Sequence, residues 1–306
     1  VQCYAGGFSH LIFDGNDARN DESERSLCGF FATVCDREAA GCTPDVNEAN
    51  YDEFSSHFWA AFRGKDRLDR GVASGDYDGD GRISFEEAHA YAILTSRNID
   101  IPVKTSDAYL RARGKLESES DKDMIGFDTP YPDIVKLARP AERAVLEGLS
   151  SQLELDGDDR GRVMKRKADK LATELKDIEG RLKAQKKTLD ASRIKIARTV
   201  RNRWPDLENR HSPGAVRLLS DEREAGKFVE AVEAHPEFSR WEELKRQREN
   251  LEEEELAIAK KYASHQRFVW AFESIALAES LRRSDDEKLI GGLGRLLRHE
   301  GGNLGG

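Results

Sequence analysis

The spacing of apolar residues divides the chain into two parts that predict different architectures. In the first part, the aromatic-rich run at residues 28–34 predicts a short buried strand. Apolar positions at helical spacing over residues 51–62 predict a helix that ends at Gly64, and an earlier helix is expected to begin near Phe8. The predicted order is a strand end, a helix, a strand and a helix. This order indicates an open α/β sheet whose other strands lie upstream of the chain.

The second part has the pattern of long helices. Apolar positions alternate spacings of four and three residues from Met164 to Ile196, and again from Trp241 to Ala276. A heptad repeat sustained in this way is typical of a coiled-coil seam. Prolines at positions 205 and 213 separate the two segments and should break the helix between them. We therefore expect an all-α antiparallel coiled-coil hairpin to follow the α/β domain.

The composition is consistent with this division. The 306 residues are 38% hydrophobic and 35% charged, which favours a small globular part joined to a charged helical part over one large core. We expect an α/β domain at residues 1–114, a polar linker at 115–139, a helical coiled-coil domain at 140–290 and a flexible Gly-rich tail at 291–306. No run reaches the roughly 18 apolar residues that a membrane helix needs, so we expect no membrane span.

The two heptad segments have opposite charges. Residues 162–203 contain 15 basic residues (Lys or Arg) and 5 acidic residues (Asp or Glu). Residues 221–255 contain 6 basic and 13 acidic residues. Opposite charges favour pairing of the two segments in one hairpin, and the coiled coil is also a candidate surface for a protein partner. The alternative is that the basic segment binds nucleic acid, but the net charge of −9 for the whole chain argues against it.

The sequence DYDGDGRISFEE, at residues 76–87, matches a calcium-binding EF-hand loop position by position. Carboxylates occupy positions 1, 3, 5 and 12, a glycine allows the sharp turn at position 6, and a carbonyl and a hydroxyl are available at positions 7 and 9. Hard oxygen ligands at this spacing surround a cation of the size of Ca²⁺. The predicted metal ligands are Asp76, Asp78, Asp80, Arg82 (through its carbonyl oxygen), Ser84 and Glu87.

The segments on either side of this loop differ. A helix is expected to follow it from Phe85, whereas residues 64–75 have no helical pattern. Calcium sensors use paired helix–loop–helix units, so a loop with one helix favours a structural calcium ion. A second acidic run at residues 155–161 lacks the ligand spacing and predicts only a turn.

Cys3 is the candidate nucleophile. It lies at an expected strand end, two glycines that follow it allow close approach of the backbone to a substrate, and the N-terminus of the next helix favours a thiolate. The sequence QCYAGGF, with GFFATVCDREAAGCTPD and DEFSSHFWAAF further on, resembles the caspase-like cysteine peptidases, especially the legumain (C13) family. The resemblance covers roughly residues 1–64, and Ala5 stands where the family often has serine.

The resemblance implies a reaction and a specificity pocket. The fold would be a caspase-like open sheet, incomplete at its N-terminal side, and the Cys3 thiolate would attack the scissile carbonyl of a polypeptide substrate. Residues 37–43 would line the pocket. The implied substrate-binding residues are Ala39, Ala40, Cys42 and Glu53.

The histidine that this chemistry requires lies upstream of the cysteine in the family. Neither His10, His57 nor His89 is at that position. We therefore expect the chain to be the C-terminal part of a longer cysteine endopeptidase and to be inactive by itself. The alternative function is a catalytically inactive, calcium-binding scaffold that acts through its coiled coil.

Overall fold

A computed structural model describes residues 3–23, 25, 27–41, 52–114, 125–209 and 211–304. The structure is 68% helical, and these residues contain a single sheet of two strands. Strand β1 (Phe30–Phe31) pairs antiparallel with β2 (Val103–Lys104). The predicted caspase-like open α/β sheet is therefore wrong, and the fold is predominantly helical.

Two local features account for the missing sheet. In the aromatic-rich run, Phe30 packs against the rings of Phe58 and Phe85, which belong to helical segments, and so it needs no further strands to cover it. The segment after Cys3 is a 3-10 helix (Ala5–Ile12). A Cβ atom on Gly6 would lie 2.7 Å from the carbonyl oxygen of Thr33. The glycine therefore serves close packing of two backbone segments.

Helices account for most of the described chain, and the sheet contributes four residues. None of the helices in the described ranges is both long and apolar enough to cross a membrane. The α-helices are α1 (Phe54–Arg63), α2 (Phe85–Thr95), α3 (Thr105–Arg113), α4 (Tyr131–Leu137), α5 (Pro140–Gln152), α6 (Arg160–Arg203), α7 (Pro213–Ser220), α8 (Glu222–Glu233), α9 (Phe238–Arg283) and α10 (Glu287–Glu300).

The chain divides into two compact units. The first unit comprises residues 1–171 and 259–306, and the second comprises residues 172–258. The two long helices, α6 and α9, therefore contribute one segment to each unit. The boundary falls inside these helices, whereas the sequence placed a linker at residues 115–139.

The main core of the first unit includes side chains from α2, α4 and α5 and from the parts of α6 and α9 that belong to this unit. Helix α4 lies within the expected linker, yet Ile134 is fully buried in this core. Pro132 and Pro140 lie in the first turns of α4 and α5, where a missing N–H group breaks no intrahelical hydrogen bond. Both prolines therefore lie where a helix accepts them, and Pro132 belongs to a helix inside the expected linker.

Helix α1 packs against α2 through an aromatic cluster that includes Phe54, Phe58 and Tyr91. As the sequence predicted, α1 ends at Gly64, whose φ of 64° favours glycine. His57 also joins the two helices, because its ring nitrogens contact Asp52 Oδ1 at 2.6 Å and Thr95 Oγ1 of α2 at 2.8 Å. The segment between the helices, which contains the predicted calcium loop, is thus held at both ends.

Arg267 of α9 fixes the segment that follows α2. Its buried guanidinium donates hydrogen bonds to the carbonyl oxygens of Asp100 at 2.7 Å and Ser96 at 2.8 Å, and to Oδ1 of Asn98 at 2.8 Å. Burial lowers the pKa of Arg267 to about 10. One side chain therefore satisfies several backbone acceptors that would otherwise be buried without donors.

Helix α10 extends into the segment that was expected to be a flexible tail, residues 291–306. Leu293 and Leu296 are buried in a cluster with Tyr109 of α3. A Cβ atom on Gly292 would lie 2.3 Å from the Tyr109 hydroxyl. Glycine at this position therefore allows close helix packing.

In the second unit, the segments of α6 and α9 run antiparallel. Gln185 Nε2 donates to the carbonyl oxygen of Leu244 at 3.1 Å, and Lys195 Nζ lies 2.9 Å from Glu237 Oε1. Arg181 forms a third contact, at 3.4 Å, with Glu254. Basic residues of α6 thus face acidic residues of α9 within this unit. A coiled-coil seam and a protein partner for it stay predictions.

Candidate functional site

Three carboxylates converge in the loop that leads into α2. Oxygen atoms of Asp76, Asp78 and Asp80 lie within 4.8 Å of one another. In the described part of the chain, this is the one cluster of at least three His, Cys, Asp or Glu side chains with a spacing that fits a metal ion. The three residues are the first three predicted calcium ligands.

The backbone of this loop holds the carboxylates in place. Asp76 accepts hydrogen bonds from the amides of Gly79 at 2.8 Å and Gly81 at 3.0 Å, and Asp80 accepts one from the amide of Arg82 at 2.8 Å. Gly81 has a φ of 83°, a conformation that side chains disfavour. The sharp turn expected at position 6 is present.

Glu87 reaches back from the first turn of α2 over the loop. Its carboxylate accepts hydrogen bonds from the amides of Tyr77 at 2.7 Å and Ser84 at 2.9 Å. Ser84 Oγ in turn accepts a hydrogen bond from the Glu87 amide at 3.2 Å, which caps the helix. Tyr77 packs on the core, and its burial raises the pKa of its hydroxyl to about 12. Ser84 and Glu87 therefore close the loop at the start of α2, whereas the cluster with metal-ion spacing consists of Asp76, Asp78 and Asp80.

The exit of the loop contacts a distant segment that the sequence did not indicate. The Phe85 amide donates to the carbonyl oxygen of Gly302 at 2.8 Å, and Ser84 forms an isolated antiparallel bridge with Asn303. The sequence carries no local signal for this contact, because its partners are far apart and the later segment has the composition of a loose tail.

A cluster of buried charges lies at the first turn of α2. Lys104 Nζ contacts Glu86 Oε1 at 3.0 Å and Glu300 Oε2 at 2.9 Å, and Arg139 contacts Glu86 and Glu142. Burial alone would lower the pKa of Lys104, but the two carboxylates beside it raise the pKa above its ordinary value. The cluster joins α2 to the end of α10.

Cys3 lies in a turn before the 3-10 helix and not at the end of a strand. Tyr4, which follows it, has a φ of 59° and donates its amide to the carbonyl oxygen of Arg37 at 2.9 Å. The backbone at Cys3 therefore differs from the strand end on which the resemblance to peptidases rests. The role of Cys3 as a nucleophile stays a prediction.

Two of the four predicted substrate-binding residues line one groove. Ala40 and Glu53 lie in the wall of a cavity of about 460 Å³, together with aromatic side chains of β1 and α1. Glu53 is buried, and its Oε1 accepts hydrogen bonds from Ser56 and Arg67, both at 2.7 Å. Ala39, the residue before Ala40, is buried. Cys42 lies outside the described residues. Use of the groove by a substrate stays a prediction.

No protein-family model, curated protein or solved structure was found to match the chain. The loop at residues 76–87 combines three converging carboxylates, a hydrogen-bonded backbone turn and attachment to the core through Tyr77. No other group of described side chains combines these three properties.

Proposed function

We propose that residues 76–87 bind one Ca²⁺ ion and that the chain is a calcium-stabilised helical scaffold. The proposal is supported by the convergence of Asp76, Asp78 and Asp80, whose carboxylate oxygens lie within 4.8 Å. Like charges this close repel one another, and a divalent cation between them removes that repulsion. An ion that binds only the folded chain adds its binding free energy to the stability of the fold.

The donor set favours calcium over other cations. The loop offers three aspartates, a backbone carbonyl at Arg82, a hydroxyl at Ser84 and the two oxygens of Glu87, with neither thiol nor imidazole. Six to eight oxygen ligands, one of them bidentate, suit Ca²⁺, whereas Mg²⁺ demands a small octahedral site and keeps several waters. Soft or borderline metals such as Zn²⁺ prefer sulfur or nitrogen donors.

A structural role for the ion is favoured over a sensor role. A sensor opens its helix pair on binding calcium and exposes an apolar groove. Here residues 64–75, which precede the loop, are not helical, so the loop lacks the entering helix of a sensor unit. We therefore expect the ion to stabilise the loop and its attachment to α2.

Calorimetry in CaCl₂ and in chelator tests the proposal. We expect one ion per chain, and about 2.7 kcal/mol of added stability at a free calcium concentration 100 times Kd. Asp76→Asn keeps one of the two oxygens that accept the amide hydrogen bonds of Gly79 and Gly81, and it removes a ligand charge. The calcium-dependent rise in Tm should therefore disappear.

Asp158→Asn is the matched control, because Asp158 belongs to the acidic run without ligand spacing. This variant should keep the full calcium response. If the wild-type chain has the same Tm in calcium and in chelator, the proposal is contradicted.

A further inference from the structure

We infer that residues 301–304 support the calcium loop and that docking of this segment is coupled to calcium binding. The inference rests on the proposed function of residues 76–87. Its basis is the position of Ser84 and Phe85, which lie where the loop ends and α2 begins. Both residues contact the segment, and Ser84 is itself a predicted ligand.

The first contact satisfies a helix terminus. The first four amides of an α-helix lack intrahelical acceptors, and Phe85 is the first residue of α2. Its amide donates to the carbonyl oxygen of Gly302 at 2.8 Å. This hydrogen bond belongs to the antiparallel bridge that places Asn303 opposite Ser84 at the end of the loop.

The buried charges give the segment a fixed starting point. Glu300 is completely buried and accepts hydrogen bonds from Ser106 at 2.7 Å and from Lys104 at 2.9 Å. Lys104 also binds Glu86, the second residue of α2. The end of α10 is therefore attached to the same helical turn that carries Glu87, and residue 301 leaves it beside the loop.

These contacts make the segment a determinant of calcium affinity. When the segment is docked, the backbone of Ser84 and Phe85 is already ordered, so the ion does not pay the entropic cost of ordering it. When the segment is absent, that cost is subtracted from the binding free energy. Coupling is reciprocal, so calcium must also favour docking of the segment.

Isothermal titration with CaCl₂ of a chain that ends at Glu300 tests the coupling. The truncation removes the contacts to Gly302 and Asn303 and keeps the buried carboxylate. We expect the calcium Kd to rise by about fivefold or more relative to the intact chain. Leu304→Ala is the control, because this side chain is exposed and the backbone contacts remain; its Kd should be unchanged.

Hydrogen exchange of the Phe85 amide in the intact chain tests the same coupling without a truncation. Protection should be higher in calcium than in chelator, since the hydrogen bond to Gly302 reports docking. Equal Kd values for the truncated and intact chains, or equal protection of Phe85 with and without bound calcium, would overturn the coupling alone. Failure of the intact chain to bind calcium would overturn both the proposed function and the coupling.

Discussion

At the scale of single residues, His89 is an internal probe of the first unit. Its imidazole is buried on α2, with ring centroids 5.4 Å from Phe30 and 5.7 Å from Phe54. Burial lowers its pKa to about 3, so the ring is neutral in the folded protein. The ordinary pKa of histidine is about 6.5. Below that pH the unfolded chain binds a proton that the folded chain does not, and stability falls.

The variant His89→Phe keeps an aromatic ring and removes the titration. Between pH 7.5 and pH 5.5, the unfolding free energy of the wild-type chain should fall by about 1.4 kcal/mol more than that of the variant. Urea denaturation at the two pH values measures this difference. His211→Gln, at an exposed histidine, should retain the wild-type dependence. The same pH dependence in wild type and His89→Phe would show that His89 is not a buried neutral group.

At the scale of elements, one buried carboxylate, that of Glu300, fixes the end of α10 in the first unit. Replacing Glu300 by glutamine leaves the Lys104 ammonium buried with Glu86 as its remaining carboxylate partner. Breaking a buried ion pair by removing one partner costs about 3–5 kcal/mol. We expect a loss near the lower end of that range, because glutamine keeps one hydrogen-bond acceptor.

Glu287→Gln is the matched control, since Glu287 lies on the same helix and is exposed. Its unfolding free energy in guanidinium should remain within about 0.5 kcal/mol of wild type. Equal losses in the two variants would mean that Glu300 contributes nothing beyond an ordinary surface charge.

The loop and α10 show how far sequence reasoning extends. The convergence of Asp76, Asp78 and Asp80 could be predicted because the residues are nearly contiguous, and the turn that brings them together is specified by glycines within the same twelve residues. The contact between Glu300 and Lys104 could not be predicted, because the two residues are 196 positions apart and neither has an unusual neighbourhood in the sequence. Gly292 suggested a loose tail, although its missing side chain is what lets α10 pack closely on α3.

At the scale of the whole molecule, the first unit is built from both parts of the chain that flank the second. In the described part of the chain, the four buried apolar clusters consist of residues within 1–171 and 259–306. Replacing residues 172–258 by a short Gly/Ser turn should therefore leave a cooperatively folded protein. The entropic cost of closing such a turn grows only slowly with its length.

Circular dichroism during heating, in CaCl₂ and in chelator, measures this outcome. The shortened chain should melt in one transition that calcium shifts to higher temperature. A broad, non-cooperative melt would show that the clusters of the first unit depend on the second.

The predicted fold class, an open α/β sheet, is wrong for a reason that also concerns the whole molecule. A short aromatic run has the pattern of a buried strand, but the same side chains can be covered by helices. Phe30 is covered in this way, by residues at positions 58 and 85 that are remote in sequence. Periodicity within one segment cannot distinguish these two environments.

The pairing of Lys104 with Glu300 also affects how the protein is made. A ribosome adds residues in order, so Lys104 is synthesised long before Glu300. When α9 has been completed at Arg283, Lys104 still lacks this carboxylate partner. Until α10 is released from the exit tunnel, the part of the apolar cluster that Leu293 and Leu296 cover remains open to water and to neighbouring nascent chains. The first unit therefore cannot complete its folding before α10 has been translated, and this interval is when a chaperone would contribute most to its yield.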